Sequence, residues 1–541
     1  MLSLGFSLPL NSNIALTSRS NRYNFLTKFP KVLAATSNSD NAAVKLGRGP
    51  AVVRALPDGL KRELMPKHLA VIMDGHRRWA RQNGLSVDHG HRAGEEKIKF
   101  LTRLCCQWGI KVLTVFAFST ENWVRPKQEV DFLMDMFLNL ATLKENLDEW
   151  TSLDIRVSFI GDKSTISKSL REAVTVVEEM TKSNSGLHVI IALNYSGRQD
   201  ILQATKSIAS KVNTGHLAVT DIDKNIFEQE LETHRAEFPE PDLLIRTSGE
   251  QRISNFMLWQ LAYTELYFAK KLFPDMEQED FIDALKSFQP RERRYAGDQL
   301  VTLPEGLKHV AVIMDGHRRW AKNKGLTVKQ GHRAGGEKIQ VLTRLCSQWG
   351  VKVLTIFAFS TENWVRLKEE VDFLMKLFLE LIGSQENLDE WTRDGRRVSF
   401  IGDKSILSKS LQKALTVMEE RTKCNSGLHV IMAINYSGRH DILQATKSIA
   451  SKVKNGHLTV KDIDQSLFEQ ELETHCAEFP EPDLLIRTSG EKRVSNFMLW
   501  QLAYTEFYFA NKLFPDMEEA DFMEALMSFK SRQRRYGGQN I

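Results

Sequence analysis

Three features of the 541-residue sequence predict a duplicated α/β fold, each copy a mostly parallel central β-sheet flanked by helices. The chain repeats itself, each copy carries five short apolar runs separated by stretches with helical spacing, and each run ends in a cluster of polar and charged residues.

The repeat sets the organisation. His68-Leu69-Ala70-Val71-Ile72-Met73-Asp74-Gly75 returns as His309-Val310-Ala311-Val312-Ile313-Met314-Asp315-Gly316. From there to Tyr295 and Tyr536 the copies align without a gap at an offset of 241, with roughly three quarters of positions identical. A period this long is a whole domain rather than a solenoid unit, and each copy is long enough to bury its own core. The expected boundaries are a leader at 1–55, a first copy at 56–296, a linker at 297–308 containing Gly297, Pro304 and Gly306, and a second copy at 309–541.

Within the first copy the apolar runs are Leu69–Met73, Val112–Phe118, Val157–Ile160, Leu187–Leu193 and Leu243–Ile245. Short runs rich in Val, Ile, Leu and Phe read as strands buried on both faces. Between them Ile98, Leu101, Leu104, Cys105 and Trp108 share one helical face, and Phe132, Leu133, Met136, Phe137 and Leu140 share another. Strands alternating with helices predict a parallel sheet in an α/β layer architecture.

Composition narrows the function classes. A charged fraction of 26% and a net charge of +5 are ordinary for a globular protein, and no basic stripe interleaves with aromatics, so nucleic acid is not an expected partner. The five cysteines show no metal-site spacing, and only Cys105 and Cys346 occupy matching positions, which gives no basis for a disulfide framework. No apolar run approaches the roughly 20 residues of a membrane span, leaving only peripheral membrane contact. Residues 1–39 lack Asp and Glu, are rich in Ser and Thr, and carry Arg19, Arg22, Lys28 and Lys31. That composition reads as an organelle transit peptide, plastid ahead of mitochondrion or cytoplasm.

The strands run into Asp74-Gly75-His76-Arg77-Arg78, Ser119-Thr120-Glu121-Asn122-Trp123, Gly161-Asp162, Asn194-Tyr195-Ser196-Gly197-Arg198 and Arg246-Thr247-Ser248-Gly249-Glu250. In a parallel sheet these carboxyl ends share one edge, where open α/β folds bind ligands. Arg78, Arg198, Arg246 and Arg252 suit an anion with several oxygens, because a guanidinium fork matches phosphate bidentately. Gly75 and Gly249 let backbone N–H groups approach such an anion. Asp74 and Glu265 within an arginine-rich site make sense as ligands of a hard cation such as Mg²⁺, shared with phosphate oxygens. The plain alternative, that these charges pair on the surface, suits any single residue better than the whole set repeated in both copies. Gly161-Asp162-Lys163-Ser164 lacks the earlier glycine of a P-loop, no G-x-G-x-x-G follows a strand, and no G-x-S-x-G occurs. His76, His91 and His188 have no zinc-like spacing.

His68–Ala80, Gly90–Gly94, Phe118–Arg125, Asn194–Arg198, Ile245–Gln260, Ala262–Phe268 and Arg291–Tyr295 resemble, in order, the motifs of the cis-prenyltransferases, the undecaprenyl and dehydrodolichyl diphosphate synthases and their plant relatives. The resemblance covers 68–295 and again 309–536, and the D-D-x-x-D signature of trans-type prenyl synthases is absent. It implies Mg²⁺-dependent addition of isopentenyl diphosphate to an allylic diphosphate with Z geometry, by a dimer of this fold. Residue by residue, it implies that Asp74 handles the metal and the allylic diphosphate beside Gly75 and Arg78. His91, Ser119 and Asn122 lie near the reacting carbons, with Trp123 and Arg125 completing that motif. By the same resemblance Arg246, Arg252 and Ser254 are expected to bind isopentenyl diphosphate, and Glu265 to be linked to the metal. Arg198 joins the substrate-binding set from its own strand end. The second copy carries Asp315, Gly316, Arg319, His332, Ser360, Asn363, Trp364, Arg366, Arg439, Arg487, Arg493, Ser495 and Glu506 at the same positions. Phe132, Met136 and Phe137 are candidates to line a tunnel for the product, or ordinary helix core.

Some positions depart from the family pattern. His76 and His317 stand where many members have Asn, Gln251 and Lys492 where bacterial relatives often have His, and Leu367 replaces the Pro kept as Pro126. The Arg-Arg-Tyr-Gly-Gly ending is kept at Arg534–Gly538 and becomes Arg-Arg-Tyr-Ala-Gly at Arg293–Gly297. The family works as dimers, so the two copies are expected to pair within one chain, with each carboxyl-terminal Arg-Tyr segment reaching across. The alternative function is that of a non-catalytic scaffold subunit, against which the retained Asp, Arg and Asn residues speak.

Overall fold

The computed structural model describes residues 56–288 and 306–530. The predicted leader, most of the linker and both carboxyl-terminal Arg-Tyr segments lie outside the described residues. The first copy opens with β1 (His68–Ile72), then α1 (His76–Gln82), α2 (Val87–Trp108), β2 (Val112–Ser119), α3 (Lys127–Thr142), α4 (Lys144–Ser152) and β3 (Arg156–Ile160). It continues through α5 (Lys168–Thr181), β4 (His188–Tyr195), α6 (Gly197–Asn213), α7 (Lys224–Glu230), β5 (Leu243–Arg246), β6 (Glu265–Phe268) and α8 (Gln278–Phe288). β1, β4 and β5 are buried at every position, as strands sandwiched between helix layers must be.

All strand pairs are parallel, in the order β3-β4-β2-β1-β5-β6, and the second copy repeats the sheet. The five apolar runs are the first five strands. The sixth, β6, escapes sequence reading: it is four residues long, opens on Glu265, and only Leu266 is fully buried. Its strand character comes from pairing with β5, Leu243 opposite Glu265 through Arg246 opposite Phe268.

The copies pack against each other about a pseudo-two-fold axis. α6 lies on its counterpart Gly438–Lys454, and the Thr205 and Thr446 hydroxyls meet at 3.2 Å. Backbone bonds cross reciprocally: Asn255 N–H to the Ala503 carbonyl and Asn496 N–H to that of Ala262, both 2.7 Å, then Leu266 to Lys492 at 2.7 Å and Phe507 to Gln251 at 2.8 Å. This is isologous pairing, each surface meeting its own equivalent. One apolar core draws on both copies, with Ile208 and Trp259 from the first and Ile449 and Trp500 from the second, while a separate core lies behind each sheet. Among the described residues no helix is long and apolar enough to cross a membrane.

Candidate active site

Each site is built at the carboxyl ends of three adjacent strands, β2, β1 and β5 in the first copy. Beyond β1 the chain turns through Asp74 into Gly75, whose φ of 105° requires glycine and whose absent Cβ would lie 2.8 Å from Leu272. Thr247, following β5, ties the strand ends together: its hydroxyl accepts from Asp74 N–H at 2.9 Å and donates to the Asp74 carbonyl at 2.8 Å. The Asp74 carboxylate thereby faces Arg246 at 3.0 Å and Arg78 at 3.7 Å. Burial alone would raise its pKa, yet Arg246, with Arg78 and Arg252 behind it, holds it at about 2. Asp315 meets Arg487 at 3.0 Å and Arg319 at 3.9 Å in the second copy, and its pKa is lowered in the same way.

Arg246 is almost fully buried and donates to the Arg252 carbonyl at 2.9 Å and to Ser254 Oγ at 2.6 Å. The loop it braces holds Ser248, Ser254, Asn255 and Met257 at positive φ, and Ser489, Ser495, Asn496 and Met498 repeat the pattern. Such backbone persists only where its surroundings over-determine it. Here the bond from Asn255 N–H to the other copy's Ala503 does part of that.

On the opposite wall His91 Nε2 lies 3.1 Å from Glu129 and Arg125 reaches the same carboxylate at 3.2 Å, with Arg77 as a third partner. Burial would raise the Glu129 carboxyl, but His91 and the two arginines hold it at about 2. Ser119 and Asn122 cap the turn after β2, Ser119 N–H donating to Asn122 Oδ1 at 3.2 Å. His76 packs 5.3 Å from the His91 ring, and burial together with His91 lowers its pKa to about 3. A Cβ on Gly94 would fall 2.2 Å from His76 Nε2, so that glycine admits the imidazole. His317, His332 and Gly335 repeat the arrangement.

The other copy completes each site. Glu506, 1% exposed, pairs with Arg252 at 2.6 Å, and Tyr504 donates to Glu121 and accepts from Asn255 at 2.9 Å. Reciprocally Glu265 pairs with Arg493 at 2.5 Å, and Tyr263 donates to Glu362 at 2.5 Å. This corrects the sequence grouping: Glu265 belongs with Asp315, and Glu506 with Asp74. The reason is position, since Glu265 begins the edge strand at the pseudo-two-fold and meets the opposite loop. Arg198 and Arg439 need a second correction. They lie in the interface, Arg198 paired with Glu481, bonded to the Trp500 carbonyl at 3.2 Å and stacked 5.2 Å from the Trp500 and Tyr504 rings. Arg439 mirrors this with Glu240 at 2.5 Å and Trp259. Trp123 and Trp364 stand beside the sites, donating to Asn194 at 2.7 Å and Asn435 at 2.8 Å.

The first site encloses a cavity of about 540 Å³. Asp74, Gly75, Arg78, Arg246, Arg252, Ser254 and Glu506 give the charged part of the lining, His91, Ser119, Asn122 and Arg125 add polar groups, and Ile98, Leu133, Met136 and Phe137 give the apolar part, with Glu95 on the same helix as Ile98. Phe132, the third tunnel candidate, instead lies under the Arg92 guanidinium, 5.1 Å from its ring. Among the described residues no three His, Cys, Asp or Glu side chains cluster as a self-sufficient metal site. Asp74 and Glu506 do line one cavity, so the donor set fits Mg²⁺ held by one or two carboxylates and completed by diphosphate oxygens.

Fold and site together define an α/β enzyme built in duplicate, with charged and apolar side chains sharing the lining of the first cavity. The profile of the prenyltransferase family of undecaprenyl diphosphate synthase matches residues 72–296 and again 313–537, and the chain belongs to that family. It is 93% identical over 245 residues to the chloroplastic cis-prenyltransferase 7 of Solanum lycopersicum, covering 45% of this chain and 85% of the relative. It is 57% identical over 231 residues to a chloroplastic (2Z,6Z)-farnesyl diphosphate synthase of the same plant, 43% of this chain and 79% of the relative. With dehydrodolichyl diphosphate synthase 2 of Arabidopsis thaliana it shares 54% identity over 269 residues, 48% of this chain and 86% of the relative. The chain is a prenyltransferase of this cis-prenyl diphosphate synthase kind.

Thr247 and Glu121 stand in the strand-end clusters, and Tyr504 in the second-copy counterpart of Ala262–Phe268, without a role assigned from sequence, while Glu129 escaped sequence reading. Glu129 left one trace, its i, i+4 spacing to Arg125, which reads as a surface helix pair.

Proposed function

We propose that each copy, completed by the other, transfers an allylic prenyl group to isopentenyl diphosphate with Z geometry and Mg²⁺ dependence. The observation that carries this is the cavity whose lining joins a charged part, suited to a diphosphate, to an apolar part, suited to its prenyl tail. Asp74 and Glu506 would hold Mg²⁺, which would supply Lewis-acid stabilisation of the departing diphosphate. Arg78 and the backbone around Gly75 bind the allylic diphosphate, and Arg246, Arg252 and Ser254 bind the isopentenyl diphosphate. The allylic C–O bond breaks with its electron pair leaving on the diphosphate. The terminal carbon of the isopentenyl double bond forms the new C–C bond, leaving the positive charge on the methyl-bearing carbon, and a proton then leaves the methylene on the diphosphate side of that carbon to give the new Z double bond. Preorganised guanidinium groups act where charge develops, which favours the transition state over the ground state. Ser119, Asn122 and His91 orient the reacting carbons, with Glu129 fixing His91 and Arg125. The second copy does the same through Asp315, Gly316, Arg319, His332, Ser360, Asn363, Arg366, Arg487, Arg493, Ser495 and Glu265. The enzyme works as a single chain whose copies at 56–296 and 309–541 pair internally, in the plastid named for its relatives.

The test is incubation of the purified chain with isopentenyl diphosphate and a series of allylic primers, with Mg²⁺ or with EDTA, and analysis of product mass and double-bond geometry. Z-configured products that vanish with EDTA are expected. A folded chain that transfers nothing with any primer overturns the reading in favour of a scaffold.

A further inference from the structure

The two sites are not identical in the apolar part of their lining. In the first, Glu95 lines the cavity, its carboxylate 3.1 Å from Lys99 Nζ, which also meets Glu96 at 3.0 Å. The Glu95 and Lys99 side chains are only 18% and 22% exposed. At the equivalent positions the second copy has Gly336 and Gln340, neither charged. Both line a separate cavity of about 40 Å³ in the second copy. Four of its wall residues, Gly336, Ile339, Ala358 and Phe378, are the counterparts of Glu95, Ile98, Ala117 and Phe137 in the first cavity's lining, so this space lies against the equivalents of the first cavity's apolar wall. Its lining also includes Met418 and Met432 where the first copy has Val177 and Ile191.

An apolar chain advancing past Glu95 would strip water from an ion pair and gain no partner for either charge. At Gly336 the same chain meets no side chain, and each buried methylene is favourable. Methionine is unbranched and moves aside for an incoming tail more readily than valine or isoleucine. We propose that the two sites make products of different length, with Glu95 ending growth early in the first and Gly336 admitting a longer chain in the second. This rests on the prenyl-transfer reading above.

Silencing one site at a time tests it. In an Asp315→Ala chain only the first site works, and in an Asp74→Ala chain only the second. Mass spectrometry should find products at least one isoprene unit longer from the Asp74→Ala chain. Adding Glu95→Gly to Asp315→Ala should lengthen its products, and adding Gly336→Glu to Asp74→Ala should shorten its own. A Cβ at Gly336 would meet only Leu381 Cδ1, at 3.1 Å, so the glutamate fits with a small shift of a flexible side chain. Calorimetric titration with non-hydrolysable allylic thiodiphosphates of two tail lengths gives a readout independent of turnover. The gain in affinity from the longer tail should be larger at the second site by about tenfold or more. Equal product lengths that the two exchanges leave unmoved, or an equal tail-length gain at both sites, overturns the proposal. A chain that transfers at neither site overturns the functional reading instead, and the binding ratios then decide the difference between chambers.

Discussion

Arg246→Ala combined with Arg487→Ala removes the innermost guanidinium of both sites, so that neither copy masks the other. Arg246 is 4% exposed and donates through its two Nη atoms to Asp74 at 3.0 Å, Ser254 at 2.6 Å and the Arg252 carbonyl at 2.9 Å, leaving its buried Nε without a partner among the described residues. Losing a charge-assisted contact to an isopentenyl diphosphate oxygen costs about 1.5–3 kcal/mol, about a 10- to 150-fold rise in KM for that substrate. The allylic primer should be affected less, because Asp74 keeps Arg78 at 3.7 Å and its backbone stays tied to Thr247. Arg246→Lys with Arg487→Lys retains the charge without the planar fork and should fall between the two. Initial rates measured against each substrate, with the other saturating, separate the KM values. An equal rise in both, or a loss of kcat that leaves both unchanged, refutes the placement of isopentenyl diphosphate at this arginine.

Three further outcomes follow from other parts of the molecule. Burial, with Glu473 adding to it, raises the Asp441 carboxyl from 3.8 to about 7, so the folded state holds a proton that the unfolded state has released between those values. Stability contributed there is lost as pH rises from about 4 to 7. The buried histidines with lowered pKa, His76 and His317 among them, act in the opposite direction in wild type and in Asp441→Asn alike. The wild-type Tm should therefore fall over that interval relative to the Tm of Asp441→Asn, and a Tm difference that stays constant or moves the other way would count against the reasoning. Arg396 is 1% exposed, held by Asp394 with Glu390 at 3.7 Å, and replaces Ile155 of the first copy. Arg396→Ile should raise Tm, because exchanging a buried ion for apolar volume is neutral or stabilising by about 1–4 kcal/mol; a drop of several degrees would contradict it. Glu129→Ala in an Asp315→Ala background leaves Arg77, Arg125 and His91 without their shared carboxylate and should lower kcat by about 10-fold or more, at about 1.4 kcal/mol per decade. Unchanged kcat there would remove Glu129 from the positioning of the site.

How far the sequence reached depends on what each feature needs. The five strands of each copy were legible because Val, Ile and Leu runs buried on both faces leave a one-dimensional trace, and the strand-end positions of Asp74, Ser119 and Arg246 follow from a parallel sheet. β6 left no such trace, since Glu265 interrupts the apolar run and only pairing with β5 makes the segment a strand. Arg198 misled because an arginine just after a strand reads as a phosphate ligand, whereas the start of α6 faces the pseudo-two-fold and the other copy's Glu481. The crossing of Glu265 and Glu506 could not be read from spacing, because a duplicated sequence offers each carboxylate two equivalent arginines and only the packing of the copies chooses.

That crossing is the centre of the account, and it can be measured by complementation. Asp74 and Glu506 belong to one site, Asp315 and Glu265 to the other. Asp74→Ala with Glu506→Ala should therefore lose little more prenyl transfer than Asp74→Ala alone, since the site of Asp315, Arg493 and Glu265 is untouched. Asp74→Ala with Glu265→Ala damages both sites and should fall towards the level of Asp74→Ala with Asp315→Ala. The opposite order, with Asp74→Ala and Glu506→Ala the more damaging pair, would mean that each copy keeps its own carboxylate and that the composite site is wrong.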